Sequence, residues 1–250
     1  MTRWCFDLGN TRLKCAALRG DGSLGPVTAL VHGAATFSET LIAMLPRDAG
    51  SAYVASVAST ALTVSMIEIL ASRFSRISLA RSTAQCAGVH SAYAQPSTLG
   101  VDRFLGMIAA RARAPGAWLV AGVGTALTVD LLDRQGIHRG GRIAPSPGTM
   151  RRALHHAAPH LPAEGGDYHE FATTTADALA SGCDAAALGL IERSLRVGEQ
   201  LLGEPPALLL HGGGAPALVQ HLPQAVHAPS LVLEGLSIWT DLGATPTTSR

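Results

Sequence analysis

An α/β protein built from two similar halves is expected from three features of the 250-residue sequence. The first is a strand–turn–strand pattern near the start: Trp4 to Leu8, a polar turn at Gly9-Asn10-Thr11, then Arg12 to Leu18. The second is the return of that pattern at Trp118 to Asp130, with Gly122-Val123-Gly124-Thr125 at the turn. Two hairpins of one type, separated by about half the chain, suggest a duplicated fold with a ligand held between the halves. The third is the alternation of strand-like and helix-like segments after each hairpin, which suits helices covering a mixed sheet.

Composition narrows the class. Apolar residues make up 47% of the chain and charged residues 15%, which describes a protein with a substantial core. A net charge of +1 offers no electrostatic footprint for nucleic acid or an anionic membrane. Aromatic residues are too scarce to build base-stacking platforms. Asp7 interrupts the first apolar run, so no signal peptide is expected, and no apolar run is long enough to span a bilayer. Cys5, Cys15, Cys86 and Cys183 lack metal-type spacing and read as free thiols of a reducing compartment. A soluble cytoplasmic protein is expected.

Taken in order, the first hairpin is followed by a turn at Gly20-Asp21-Gly22 and a strand over Val27–Val31. A helix over Thr36–Leu45 is stopped by Pro46, and a strand follows at Ala52–Val57. The spacing of Leu62, Met66, Ile69 and Leu70 predicts an amphipathic helix over Ala61–Phe74, with a return strand at Ile77–Ala80. Ser91 to Leu99 reads as a loop that delivers Gly100-Val101-Asp102-Arg103 to the start of a helix ending near Pro115-Gly116. A boundary there gives domains 1–115 and 116–250. The second half runs hairpin (118–133), Gly140 to Pro145, a helix over Gly148–Ala157, a loop to Thr174 and a long helix over Ala176–Leu202. A strand at Ala207–Leu210 enters His211-Gly212-Gly213-Gly214-Ala215 and another helix. Leu231 to Leu236 closes the fold, and the tail from Thr245 is expected to be disordered.

Chemistry is concentrated at few places. Asp7 ends a strand where its side chain faces a cleft, and the turn behind it offers N–H groups of Gly9 and Asn10, the Thr11 hydroxyl and the Lys14 ammonium. That set suits phosphate, with Gly9 able to take positive φ, although plain β-turns share the same residues. Asp102 can accept a proton from an alcohol and Arg103 can hold an anion; a helix-capping acid beside a solvated arginine is the plainer reading. Gly212 to Gly214, between a strand and a helix, permits close approach of a nucleoside or serves packing. Walker A and dinucleotide fingerprints are missing. His155, His156, His160 and His169 read as loop histidines, since Pro159 breaks the helix a metal pair needs.

The chain resembles the type III pantothenate kinase family. The match rests on Asp7 to Thr11 with Lys14, Gly100 to Arg103, Gly124-Thr125-Ala126 with Thr128, and Gly140 to Ile143 with Pro145. Thr175 with Ser181-Gly182 and Gly212-Gly213 with Ala215 extend it through nearly the whole chain. The resemblance implies two ribonuclease-H-like halves of the actin-like ATPase superfamily with an interdomain nucleotide cleft. It implies ATP-dependent phosphorylation of pantothenate, the first step of coenzyme A synthesis, by a homodimer. It further implies Asp102 as general base, and ATP binding by Asp7, Leu8, Gly9, Asn10, Thr11, Arg12, Leu13, Lys14 and Thr125. Asp7 is implied to hold Mg²⁺ through water. Tyr93, Gly100, Val101, Asp102, Arg103 and Thr175 are implied at the pantothenate site, Thr175 reaching in from the partner subunit. A regulator that binds nucleotide or pantothenate without catalysis, or a kinase of the same fold acting on another small alcohol, are the alternatives.

Three positions depart from the family pattern. Gly122 stands where an aspartate typically binds the activating monovalent cation, K⁺ or NH₄⁺, so cation independence or reduced activity is expected. Ser146 replaces a glycine after Pro145, and Thr174 replaces a common asparagine.

Overall fold

A computed structural model describes residues 2–33, 36–47 and 49–242; the expected disordered tail from Thr245 lies outside them. The first sheet is built from β1 (Arg3–Leu8), β2 (Arg12–Leu18), β3 (Thr28–Val31), β4 (Ala49–Ser56) and β5 (Phe74–Leu79), with helices α1 (Phe37–Met44) and α2 (Thr60–Ala71) between its strands. A small hairpin of β6 (Gln85–Cys86) and β7 (Val89–His90) and a 3₁₀ turn at Pro96–Thr98 lead to α3 (Val101–Arg113). The second sheet contains β8 (Trp118–Val123), β9 (Ala126–Leu132), β10 (His138–Pro145), β11 (Ala207–His211) and β12 (Ala225–His227). Helices α4 (Pro147–Ala157), α5 (Thr175–Leu202) and α6 (Ala215–Val219) lie between its strands in the chain, and α7 (Leu231–Leu242) ends the described residues.

The duplication expected from the hairpins is visible in the topology. The sheets run β3-β2-β1-β4-β5 and β10-β9-β8-β11-β12. In each, the first three strands in the chain pair antiparallel, and the two later strands add in parallel beside the central one. The fold class is therefore the actin-like α/β type, with two mixed sheets of identical strand order.

Several boundaries differ from the sequence expectation. The helix expected to reach Phe74 ends at Ala71, and Phe74 opens β5 instead. Its ring is buried edge-on against Phe6, centroids 5.7 Å apart, and this core contact outweighs the helical spacing of the apolar residues. Gly140 to Pro145 forms most of a full strand, and β12 extends the second sheet without having been expected.

The chain forms two compact units, Met1–Arg113 with Ser230–Arg250, and Ala114–Pro229. The chain crosses between them at 113/114 and again at 229/230, where the last helix returns to the first unit. There α7 packs along α3 and touches β1, β2 and β4. Leu231, Leu233 and Leu236 supply its buried face. Gly235 sets the approach: a Cβ at that position would lie 2.0 Å from the Leu105 carbonyl oxygen. Among the described residues no helix is long and apolar enough to cross a membrane.

Because the obstacle at Gly235 is backbone, which cannot rotate aside, Gly235→Ala is expected to destabilise the protein by about 3 kcal/mol. Urea unfolding measures this; a change within about 0.5 kcal/mol would contradict the close helix approach.

Candidate functional site

In the first unit, β1 and β2 are joined by a turn in which the Gly9 N–H donates to the Arg12 carbonyl at 3.0 Å. This corrects the expectation that Gly9 offers its N–H to a ligand, because the donor is used inside the turn. Gly9 is also absent from the positive-φ glycines, and a Cβ there would meet only Arg12 O at 3.4 Å, an ordinary contact. What Gly9 contributes is a bare surface, not a left-handed backbone. Its carbonyl accepts from His32 Nε2 at 3.1 Å, a tether from the end of β3 that no sequence pattern marked.

The alternation of the hairpin sorts its residues. Leu8 and Leu13 are fully buried in the core, so they anchor the turn. Asn10, Thr11 and Arg12 are exposed at its tip, while Asp7 and Lys14 are half-buried cross-strand partners. Such partners share one sheet face with Cβ atoms about 5 Å apart.

Asp102 sits in the first turn of α3. Its Oδ1 accepts the Arg103 N–H at 2.8 Å, and a Cβ on Gly100 would come within 2.7 Å of the same oxygen. Gly100 therefore makes room for the carboxylate. The preceding loop is pinned by the Ser82 hydroxyl, which donates to the Leu99 carbonyl at 2.8 Å. Arg103 is buried, and its Nη1 donates to the Tyr93 hydroxyl at 3.0 Å while the guanidinium lies 5.7 Å from the ring centroid. Tyr93 and Gly100 to Arg103, grouped by resemblance, are thus brought together; Val101 turns into the core.

The charges of Asp7 and Asp102 act on each other. Burial first, and then repulsion from Asp102, lift the Asp7 carboxyl from 3.8 to about 7 against the opposing pull of Lys14. Removing charge from water and placing a like charge nearby both favour the protonated acid. This arrangement suits a cation. Among the described residues no cluster of three or more His, Cys, Asp or Glu side chains is placed to hold a metal ion. One or two carboxylates, with waters and phosphate oxygens completing the shell, match Mg²⁺.

In the second unit the β8–β9 turn is one residue shorter than the first, with the Gly124 N–H donating to the Ala126 carbonyl at 2.9 Å. The Thr125 carbonyl accepts from the hydroxyls of Ser146 at 3.0 Å and Thr149 at 2.6 Å. Ser146 is the N-cap of α4, which gives this departure from the family pattern a structural reason. Thr174 caps α5 in the same way, its hydroxyl accepting the Asp177 N–H, and Thr175 is exposed at the first helical position. Gly212 has φ +97°, and a Cβ there would lie 2.4 Å from Val123 O, so only glycine fits. The Gly214 N–H donates to that same carbonyl at 2.9 Å, folding the glycine turn over the end of β8.

The thiols of Cys5 and Cys15 are raised to about 12 by burial, and all four cysteines are free. His155 Nδ1 donates to the Leu161 carbonyl, a structural bond in the histidine-rich loop.

Known proteins resemble this chain in sequence and in fold. A sequence model described as type III pantothenate kinase matches residues 4–197. The type III pantothenate kinase of Xanthomonas euvesicatoria pv. vesicatoria is 54% identical over 246 residues, 98% of this chain and 100% of the relative. That of Stenotrophomonas maltophilia is 56% identical over 239 residues, 96% and 97%. Among solved structures, a conserved putative Baf family transcriptional activator from Campylobacter jejuni aligns with TM-score 0.63 at 18% identity, covering 97% of this chain and 100% of that one. The activator of the 2-hydroxyisocaproyl-CoA dehydratase from Clostridium difficile, with bound ADPNP, aligns with TM-score 0.53 at 10% identity over 100% of both chains. Those two likenesses concern the fold alone.

The raised pKa of Asp7 has a consequence for stability. The folded protein keeps a proton that the unfolded chain releases near 3.8, so stability falls as pH rises from about 4 to about 7 and stays lowered above that. Asp7→Asn removes the burden. Its melting temperature is expected to exceed that of the unsubstituted protein by several °C, on the order of 2–4 °C per kcal/mol, at pH 8, with the gap closing by pH 4. Equal melting temperatures at pH 8 would contradict a strained carboxylate.

Proposed function

We propose how this chain works from one premise: it belongs to the type III pantothenate kinase family. The enzyme transfers the γ-phosphoryl group of ATP to the hydroxyl of pantothenate, giving 4′-phosphopantothenate for coenzyme A synthesis. The observation that carries the residue roles is the mutual influence of Asp7, Asp102 and Lys14, which stand on three separate elements.

Phosphoryl transfer asks chiefly for alignment and neutralisation of charge. In this reading the first hairpin turn, Asn10 to Arg12 with Lys14, holds ATP phosphates. Asp7 holds Mg²⁺ through water. The metal supplies neutralisation of the phosphate oxygens when bound. Asp102 accepts a hydrogen bond from the pantothenate hydroxyl, aims its oxygen at the γ-phosphorus and takes the proton as the new bond forms. An ordinary carboxylate is a weak base for an alcohol, but a loose transition state releases the proton late, so orientation is the larger part of the role. Arg103, steered by Tyr93, faces the pantothenate carboxylate, with Gly100 providing the space beside it. Thr125 contacts ATP from the second hairpin.

The proposal includes a homodimer in which Thr175, exposed at the start of α5, reaches the partner's pantothenate site. A cytoplasmic location is part of it, supported by four free thiols. The stretches 1–115 and 116–250 are the two repeats, with α7 exchanged back to the first.

Asp102→Asn keeps the shape of the carboxylate and removes the base. Steady-state phosphorylation of pantothenate is expected to fall by about 10²–10⁴-fold in kcat, with ATP affinity within about twofold of the parent. Retention of kcat would remove Asp102 from the reaction.

A further inference from the structure

The shared topology of the two sheets gives every position in the first a counterpart in the second. β1 corresponds to β8 and β4 to β11. In the first sheet Asp7 stands in parallel register with Ala55; in the second, Gly122 stands beside His211. Each central-strand residue lies two positions before its hairpin glycine, Gly9 or Gly124. Across the antiparallel side, Asp7 faces Lys14 and Gly122 faces Thr128. A carboxylate beside a small neighbour has become a small residue beside an imidazole.

The exchange is complementary in space. A Cβ built on Gly122 would lie 2.8 Å from His211 Nε2, 3.0 Å from His211 Cε1 and 2.9 Å from Thr128 Oγ1. The tip of the imidazole therefore occupies the volume into which any side chain at 122 would extend. The ring is also held from the backbone. His211 ends β11, and the following residue is Gly212, whose left-handed conformation tucks the chain against the Val123 carbonyl. These contacts all lie within the second unit.

The family resemblance implies a K⁺ or NH₄⁺ ion held by a carboxylate at position 122. The residues present do not fit that ion. Gly122 and the adjacent Ala121 carry no side-chain ligand atom, and the space where a carboxylate at 122 would stand holds an imidazole. We propose that His211 replaces the monovalent cation in this chain. Its ring, seated on Gly122 and Thr128, presents a hydrogen-bond donor beside the Gly124-Thr125 hairpin and assists ATP binding there, so the enzyme works without K⁺ or NH₄⁺. Gly122 is glycine because His211 needs the space. An imidazole N–H is a competent partner for phosphate oxygens, and unlike a bound ion it is carried by the fold. His211 is in this sense a positioning residue for ATP, and the inference rests on the kinase reading above.

The test compares the parent protein with Gly122→Asp, His211→Ala and the double variant in K⁺, NH₄⁺ and Na⁺ salts at one ionic strength. The parent is expected to melt at the same temperature with ATP in all three salts and to keep kcat/KM for pantothenate within about twofold. His211→Ala is expected to raise KM for ATP about tenfold and leave KM for pantothenate unchanged. Gly122→Asp is expected to lower the melting temperature by several °C, and most of that loss is expected to vanish in the His211→Ala background, since the two residues compete for one volume. Stabilisation of the ATP-bound parent by K⁺ or NH₄⁺ over Na⁺, on the order of 2 °C or more, would overturn the inference. So would an unchanged KM for ATP in His211→Ala, or an equal loss from Gly122→Asp in both backgrounds. A parent that phosphorylates no pantothenate in any salt would defeat the kinase reading, while the salt dependence of melting with ATP would still decide the role of His211.

Discussion

The rest of the site depends on the repulsion between two carboxylates. Asp7 closes a strand and Asp102 opens a helix, and they are close enough for each to feel the other's charge. The fold holds them there by backbone constraints. The antiparallel β1–β2 register sets Lys14 opposite Asp7, and Gly100 leaves room for the Asp102 carboxylate beside its own helix N-terminus. Without a cation the arrangement is costly, which explains why burial leaves Asp7 protonated up to about 7. In the proposed function the same charges serve as a cation ligand and a base. Stability is given up where binding restores it, a common feature of sites that handle charged substrates.

Duplication supplies the frame, and asymmetry supplies the division of labour. Both sheets place a hairpin glycine two residues beyond the end-of-strand position that matters, and both use that glycine's N–H to close the turn. The first end position carries a carboxylate, whereas the second carries a bare α-carbon under an imidazole. The proposed roles divide accordingly: the first repeat serves phosphates, cation and hydroxyl, and the second adds Thr125 and His211 to ATP. The departures at Ser146 and Thr174 belong to neither role: both residues cap helices, and their hydroxyls serve the N–H groups that a helix start leaves open.

Local chemistry was legible in the sequence and long-range packing was not. The two hairpins, the start of α3 at Gly100 to Arg103 and the long α5 all follow from short-range patterns, and the structure contains them at nearly those bounds. Phe74 was assigned to a helix because its spacing fits one, but its contact with Phe6 lies almost seventy residues away in the chain. The return of α7 to the first unit depends on Gly235 fitting against Leu105, and an isolated glycine in an apolar run does not reveal its partner. Glycine is able to take positive φ, but Gly9 does not use that freedom, and its N–H closes the turn. A lone histidine before a glycine run, as His211 is, carries no pattern of its own. Only the strand register that sets it over Gly122 gives it meaning.

The central claim, that Asp7 and Asp102 strain each other at one site, is tested most directly by titrating the Asp7 carboxyl carbon by ¹³C NMR without nucleotide. The account predicts a midpoint near 7 in the parent protein and a lower one in Asp102→Asn, where the second charge is gone. A midpoint in the ordinary aspartate range in the parent, or one indifferent to Asp102→Asn, would contradict it.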